Sequence, residues 1–235
     1  MNLRDKPGGY WKVAHRGASA LAPENSIAAL EAACATSVDM VELDVVVADG
    51  ELRVAHSLPQ LTADSQRLDE ALAAFAARAR PEVVLDLDVK DPGHEGVLLD
   101  SMRAHGLLGR TLITSFHPGV LRTVKTLEAS VPTGLAYPND RYGLSERRPV
   151  ELFVGPGLRV LGAALPARIG RMLASAGAEA AMLHHVLVTP RLVARCRAAG
   201  AAVFAWTVET GDDLRRVLAA GADGVIANDP SLFDE

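Results

Sequence analysis

The sequence is poor in cysteine, in aromatic residues and in long apolar runs. Its only cysteines are Cys34 and Cys196, both in alanine-rich stretches, which predicts buried free thiols and is consistent with a reducing cytoplasm. No charge-free stretch of about 18 apolar residues is present, so no membrane span is expected. Aromatic residues make up 4% of the chain and hydrophobic residues 49%, which is typical of a large core surrounded by tightly packed helices.

The sequence also lacks an excess of positive charge. Its 24 Lys and Arg against 29 Asp and Glu give a net charge of -5, which provides no basic field for nucleic acid. A small anionic ligand is not excluded, because one site can be locally positive in an acidic protein. The N-terminal stretch is polar and has no apolar signal segment, so we expect a cytoplasmic protein.

Short apolar strands alternate with helical patterns along the chain. The predicted strands cover residues 12–15, 40–47, 82–89, 111–115, 133–137, 179–183, 202–208 and 225–227, with a return hairpin at 51–55. The predicted helices cover residues 25–35, 68–79, 95–105, 119–127, part of 158–176, 190–199 and 212–220. Repeated strand–helix units imply a parallel sheet, and eight such steps favour a closed barrel. We predict an α/β fold, a (β/α)8 TIM barrel, as a single domain over residues 1–235; residues 141–157 give no clear pattern.

Acidic residues lie on the second and third predicted strands. Glu42 and Asp44 point the same way, as do Asp86, Asp88 and Lys90, because strand residues alternate in direction. Carboxylates turned into a barrel are costly unless something pairs with them. Mg²⁺ and Ca²⁺ prefer carboxylate oxygens, so we predict one divalent metal ion held by Glu42, Asp44 and Asp88. A solvated rim or ion pairs with nearby cations is the alternative.

Cationic and imidazole side chains lie at the same predicted strand ends. Arg16 and Lys90 suit a phosphate group, and ion pairs with the carboxylates are again the alternative. His15 ends the first strand and His56 follows the hairpin, so each could transfer protons near neutral pH. His117 is a weaker candidate. The pattern favours the chemistry of a phosphate ester.

Ordered motifs in the chain strongly resemble those of the glycerophosphodiester phosphodiesterases. The principal stretches are AHRGASALAPENSIAALEAA, VELDVVVADGELRVAH, LDLDVK, LITSFHPGVLRTVKTLEASVPTGLAY and VFAWTVETGDDLRRVLAAGADGVIANDP. HRG, PEN, E-L-D and a His after a D-G hairpin form a specific combination in this order. The resemblance covers most of the chain. It implies a metal-dependent barrel that hydrolyses glycerophosphodiesters to sn-glycerol 3-phosphate and an alcohol, an activity of lipid metabolism.

The resemblance also implies a role for each matching residue. The implied roles are a catalytic pair (His15, His56), metal ligands (Glu42, Asp44, Asp88), phosphate contacts (Arg16, Lys90) and a substrate pocket (Glu24, Asn25, Trp206). Asp88 stands where relatives usually have Glu. Turn and helix-capping chemistry is the alternative for Glu24 and Asn25, and a core position is the alternative for Trp206. The implied partner is a small-molecule phosphodiester.

Three features depart from the family pattern. Ser57 follows His56 where relatives commonly have Asp, and Glu209 replaces the usual Asn. The link from His56 to the third strand is short, which implies that the usual small insertion domain is lacking and that the site is more open. Sphingomyelinase-D-like phospholipases, which act on lysophospholipids and release a cyclic phosphate, are therefore an alternative. A non-catalytic phosphate-binding homologue is a third hypothesis.

Overall fold

The structure is a computed structural model that describes residues 1–6, 9–62, 64–138 and 148–234, with only the backbone described for 148–161. The strands are β1 Trp11–Ala14, β2 Met40–Ala48, β3 Glu51–Val54, β4 Val84–Val89, β5 Thr111–Ser115, β6 Thr133–Tyr137, β7 Ala180–His184, β8 Ala202–Trp206 and β9 Gly224–Ala227. The helices are α1 Ile27–Cys34, α2 Leu68–Arg78, α3 Glu95–Ala104, α4 Pro118–Leu127, α5 Arg148–Ala176, α6 Pro190–Ala198 and α7 Gly211–Ala219.

Eight parallel strands close into a barrel. The sheet order is β1-β9-β8-β7-β6-β5-β4-β2-β3, and a further parallel pairing of β1 with β2 closes the ring. The added strand β3 runs antiparallel to β2. Asp49 and Gly50 connect β2 to β3 with φ of 52° and 78°, the left-handed pair that tight hairpins favour. The predicted (β/α)8 barrel and its hairpin are therefore confirmed.

Apolar side chains fill both the barrel interior and the layer under the helices. Trp11, Val13, Met40 and Phe204 belong to a cluster contributed almost entirely by the barrel strands. A larger cluster packs the outer faces of the strands against the helices. The interior cluster packs the barrel beneath the strand ends, and the strand ends are the face where barrels of this kind bind ligands.

Hydroxyl side chains cap three of the helices. Ser26 accepts a hydrogen bond from Ala29 N at the start of α1, and Thr210 does the same for Asp213 N at the start of α7. Thr189 precedes α6, where proline occupies the first helical position. Because α1, α6 and α7 each follow a barrel strand, these caps lie on the side where the strands end.

One helix is longer than the sequence predicted, and the predicted burial of one cysteine was wrong. Helix α5 begins at Arg148, within the segment that gave no clear pattern, and so it starts ten residues before the stretch 158–176 in which a helix was predicted. The start of that segment, 141–147, lies outside the described residues. Cys196 is buried as predicted, but Cys34, the last residue of α1, is only half-buried. None of the described helices has both the length and the apolar composition needed to cross a membrane.

Candidate active site

A cavity of about 670 Å³ opens where the barrel strands end. All but one of the predicted site residues line it: His15, Arg16, Glu24, Glu42, Asp44, His56, Asp88, Lys90 and Trp206. The exception, Asn25, hydrogen-bonds Asp44 instead. The cavity thus brings the predicted acidic, cationic and imidazole groups into one place.

Three carboxylates converge on one side of this cavity. Oxygen atoms of Glu42, Asp44 and Asp88 all lie within 4.8 Å of one another. Asp44 on β2 pairs in register with Asp88 on β4, while Glu42 lies one inward-facing layer deeper. The extra methylene of Glu42 compensates for its deeper backbone position. The side-chain lengths therefore suit a common ligand.

The electrostatic environment of this trio fits a divalent cation. Burial and the neighbouring Asp44 raise the pKa of Glu42 well above its usual value. Burial also acts to raise the pKa of Asp44, but Lys90, the hydrogen bond from His56 and Arg16 outweigh it and lower that pKa. The buried Oδ1 of Asp88 has no hydrogen-bond partner among the described residues. Three oxygen donors, one of them unsatisfied, are the ligand chemistry that Mg²⁺ and Ca²⁺ prefer.

His56 is oriented by contacts to both of its ring nitrogens. Its Nδ1 lies 3.1 Å from Asp44 Oδ2, and Arg16 Nη2 lies 3.4 Å from its Nε2. A guanidinium can only donate, so Nε2 accepts and Nδ1 carries the proton in this tautomer. Ser57 donates to Gln60 at 2.9 Å, so orientation of His56 comes from Asp44 rather than from the following residue.

Asn25 holds Asp44 through a pair of hydrogen bonds. Its Nδ2 donates to Asp44 Oδ2 at 2.8 Å, and Asp44 N donates back to Asn25 Oδ1 at 2.9 Å. Asn25 has a φ of 56°, in the left-handed region that Asn tolerates. The PEN segment therefore supports the site through Asp44, whereas Ser26 caps α1.

His15 is oriented by Asn228, a residue that sequence reasoning missed. Asn228 Nδ2 donates to Glu209 Oε1 at 3.1 Å, so its Oδ1 accepts from His15 Nδ1 at 2.7 Å. This leaves His15 Nε2 unprotonated, 4.0 Å from Glu42 Oε2. Burial and the adjacent Arg16 lower the pKa of His15 to about 3. Asn228 directly follows β9, so the search for polar residues at strand ends could have found it.

The two cations are ion-paired with site carboxylates. Arg16 contacts Glu24 at 2.7 Å and Asp44 at 3.2 Å. Lys90 contacts Asp44 at 2.5 Å and also pairs with Asp88. Burial acts to lower the pKa of Lys90, but Asp44 and Asp88 raise it overall, so Lys90 stays charged. These contacts match the ion-pair alternative, and they leave phosphate binding as a prediction.

Aromatic rings form another part of the cavity lining. Trp206, at the end of β8, packs edge-on against Phe116 and His184, with ring centroids 6.0 and 5.3 Å away. His184 in turn lies against His185, which contacts Asp213 on α7. His117 instead precedes α4 and is not among the residues lining the cavity. Trp206 thus lines the cavity, and its contact with a substrate stays a prediction.

Comparisons with known proteins agree on one family. The model of the glycerophosphoryl diester phosphodiesterase family matches residues 15–91 and 90–232. A glycerophosphodiester phosphodiesterase of Caldanaerobacter subterraneus is 28% identical over 94% of this chain and 95% of its own, and one from Bacillus subtilis is 28% identical over 94% and 84%. A solved Oleispira antarctica phosphodiesterase has a TM-score of 0.74 at 20% identity, covering 96% of this chain and 97% of its own. That structural likeness concerns the fold.

Proposed function

The chain belongs to the glycerophosphoryl diester phosphodiesterase family, and on that premise we propose that it hydrolyses glycerophosphodiesters to sn-glycerol 3-phosphate and an alcohol. The observation that carries the proposal is the pairing of two oriented imidazoles with one acidic trio in a single cavity. Two relatives that this chain covers over 95% and 84% of their length bear the name of this activity. The Oleispira antarctica structure is described as a complex with the product sn-glycerol 3-phosphate.

In this proposal Glu42, Asp44 and Asp88 hold one divalent ion, Mg²⁺ or Ca²⁺. Their mutual proximity and the unsatisfied Asp88 oxygen support this assignment. When bound, such an ion neutralises negative charge on the phosphodiester and on the trio. A cation also offsets the cost of burying three carboxylates together.

Arg16 and Lys90 contact the phosphate group in this account. Both lie in the cavity lining and both approach Asp44. The planar guanidinium can grip two phosphate oxygens, while the ammonium acts as a point charge. An arriving phosphate would exchange one or more of their carboxylate contacts for phosphate oxygens. The substrate would thereby be held beside both imidazoles.

The two histidines carry the proton transfers. One imidazole, neutral and unprotonated at Nε2, removes the proton from a substrate hydroxyl, whose oxygen attacks phosphorus. The other must enter the cycle as the imidazolium, and it gives its Nε2 proton to the departing alcohol oxygen. Water then opens the cyclic phosphate with the two roles reversed. Each transfer uses an Nε2, because Asp44 and Asn228 occupy the Nδ1 atoms of His56 and His15. Proton transfer of this kind contributes roughly 10²–10⁴-fold to a rate.

The remaining predicted pocket residues position the groups that surround the acidic trio and the two imidazoles. Glu24 anchors Arg16 at the rim, and Asn25 orients Asp44. Trp206 offers a ring surface to the carbon skeleton of the substrate. Together they position the phosphodiester, and the expected partner is a small molecule.

A second candidate reaction stops at the cyclic phosphate and uses a lysophospholipid. The observation that favours it is exposed apolar surface in the loops that follow the catalytic histidines. Leu21 is 56% exposed and Leu58 is 53% exposed. Between β3 and β4 the described chain contains a short 3₁₀ turn and α2, so these leucines have no covering domain from that link.

Phosphorus NMR on a substrate panel separates these proposals. Glycerophosphocholine and lysophosphatidylcholine are each incubated with the protein and Mg²⁺ or Ca²⁺. The leading proposal predicts the sn-glycerol 3-phosphate signal from the first substrate. A cyclic phosphate as the only final product from the lysolipid would favour the second candidate. Binding of phosphodiesters without turnover of any would support the non-catalytic hypothesis and contradict both.

A further inference from the structure

A fourth carboxylate, Asp86, lies deeper in the barrel than the acidic trio. Its side chain is fully buried at 0% exposure, yet it lines the cavity. Thr114 Oγ1 donates to Asp86 Oδ1 at 2.9 Å. The other oxygen, Oδ2, has no hydrogen-bond partner among the described residues. A buried carboxylate oxygen without a partner is costly, so a role for Oδ2 needs a group that enters from the cavity.

Strand register separates Asp86 from the cation ligands. Asp86 pairs with Glu42 across β4 and β2, while Asp88 pairs with Asp44 in the next inward layer toward the mouth. Glu42 reaches up to that layer with its additional methylene. Asp86 has the shorter side chain and is not part of the set of oxygens within 4.8 Å of one another. Asp86 therefore lies below the trio rather than within it.

The cavity that Asp86 lines has apolar side chains as well as the charged groups of the trio and Lys90. Ala136, Met182 and Ile226 are buried and line the same cavity. A Cβ built on Gly134 would lie 2.9 Å from the Thr114 methyl carbon, so glycine there leaves Thr114 room beside Asp86. These apolar side chains suit a short carbon skeleton that directs a single polar group at Asp86.

A hydroxyl is the group that fits the unsatisfied oxygen. A hydroxyl both donates and accepts, so it pairs with a carboxyl oxygen in either protonation state. Asp86 precedes Asp88 by two residues, which on a strand corresponds to roughly 6–7 Å of depth. A three-carbon alcohol esterified beside Asp88 can extend a free hydroxyl to that depth.

We propose that Asp86 Oδ2 hydrogen-bonds a free hydroxyl of the alcohol retained on the phosphate, and so selects phosphodiesters of small polyols. This inference rests on the proposed function, because it assumes that the phosphate sits beside the trio. Asp86 then determines specificity, and Thr114 positions it. A phosphodiester whose retained alcohol lacks the hydroxyl leaves Oδ2 unsatisfied and binds more weakly.

The test compares two ligands and two substitutions at one position. sn-Glycerol 3-phosphate and propyl phosphate share the phosphate and the three-carbon chain and differ in hydroxyls. Their dissociation constants are measured by calorimetry, with Mg²⁺ or Ca²⁺ present, for the wild type, Asp86→Leu and Asp86→Asn. Leu is similar in size and removes the polar atoms, whereas Asn keeps groups that can bond a hydroxyl.

The wild type is expected to bind sn-glycerol 3-phosphate about tenfold more tightly than propyl phosphate. Asp86→Leu should abolish this preference without weakening the binding of propyl phosphate, and Asp86→Asn should retain most of it. An unchanged preference in Asp86→Leu would overturn the inference, as would an equal loss of affinity for both ligands. Turnover is a separate measurement that tests the proposed function. If the wild type hydrolyses no glycerophosphodiester, the proposed function is contradicted, whatever the binding experiment shows.

A crystal structure of the wild type with sn-glycerol 3-phosphate supplies an independent test if Asp86→Leu does not fold. The inference predicts a ligand hydroxyl oxygen within hydrogen-bond distance of Asp86 Oδ2. A metal ion or only water at that oxygen would overturn it.

Discussion

Asp44 combines hydrogen bonds and ion pairs with four other side chains of the candidate site. It accepts hydrogen bonds from Asn25 and His56, and it contacts both Arg16 and Lys90. Burial alone would favour the neutral acid, yet these donors keep the pKa of Asp44 low. Its negative charge therefore links the acidic trio, one imidazole and both cations.

The proposed catalytic pair gives the first residue-scale prediction. His15→Ala and His56→Ala should each lower kcat for a glycerophosphodiester by at least about 10²-fold, because each removes one proton-transfer group. His105→Ala, at the end of α3 and outside the cavity lining, is the matched control and should retain the wild-type rate. Circular dichroism checks that all three variants fold. Wild-type turnover by both site variants would exclude the acid–base assignment.

Asn228 gives a prediction about pH. Burial lowers the pKa of His15 to about 3, and a neutral amide contacts its Nδ1. Asn228→Asp places a carboxylate there, which stabilises the imidazolium and raises that pKa by about one unit or more. The limb of the pH–rate profile governed by His15 should then move to higher pH. A kcat/KM profile with both limbs unchanged would show that Asn228 does not tune this histidine.

Much of the site could be predicted from sequence at this scale. Alternation along β2 and β4 correctly placed Glu42, Asp44 and Asp88 together. The bond between His15 and Asn228 could not be predicted, because it joins residues 213 positions apart and depends on side-chain direction. The contact of Asn25 with Asp44 could not be predicted either, because the position of Asn25 in a turn suits helix capping equally well.

At the scale of elements, the turn from β1 to α1 depends on Gly17. Its φ is 81°, and an added Cβ would lie 2.6 Å from the backbone carbon of Ala29. Gly17→Ala should therefore lower the free energy of unfolding by more than the roughly 1–2 kcal/mol expected for a left-handed residue. It should also reduce activity, because His15 immediately precedes this turn.

Gly50 provides the matched control for that substitution. Its φ is 78°, but an added Cβ would meet no atom within 4 Å. Gly50→Ala should cost only the roughly 1–2 kcal/mol of the conformation itself. Urea unfolding of both variants gives the comparison. Equal losses of stability would show that close packing of Gly17 against α1 contributes nothing.

Helix α7 gives a pH-dependent stability prediction. Burial acts to raise the pKa of Asp213, but the hydrogen bond from Arg216 and the charge of His185 lower it below 3.8. A depressed carboxylate pKa stabilises the fold above its unfolded value, and this stabilisation disappears as pH falls through the folded value. Asp213→Asn should therefore reduce stability at pH 7, by less than about 1 kcal/mol for this partly exposed group.

The difference between Asp213→Asn and wild type should shrink as pH falls, and it should disappear once Asp213 is protonated in the folded protein. Urea unfolding at pH 7, 5 and 3 measures it. A difference that is constant over this range would assign the effect to packing rather than to charge.

Element boundaries were predicted unevenly for a physical reason. The barrel strands are short apolar runs bounded by turns, so predicted and observed positions nearly coincide. Helix α5 begins at Arg148 in a Gly- and Pro-containing stretch whose local propensity opposes helix. The pattern of a single sequence therefore gave no helix start at that position.

At the scale of the whole molecule, barrel closure determines which side chains meet. β1 pairs with both β2 and β9, so His15 after β1 lies between Glu42 of β2 and Asn228 after β9. Counting strand–helix units predicted this closure. The acidic trio, the two cations and both imidazoles share one cavity because parallel strands end on the same face.

The central claim is that this cavity unites a metal-binding trio with a proton-transferring pair. Its most direct test is the rate at which chelator-treated protein releases sn-glycerol 3-phosphate from glycerophosphocholine as Mg²⁺ or Ca²⁺ is added back. We predict no release without the ion and recovery that saturates with one ion bound per chain. Full activity of the chelated protein would contradict the account.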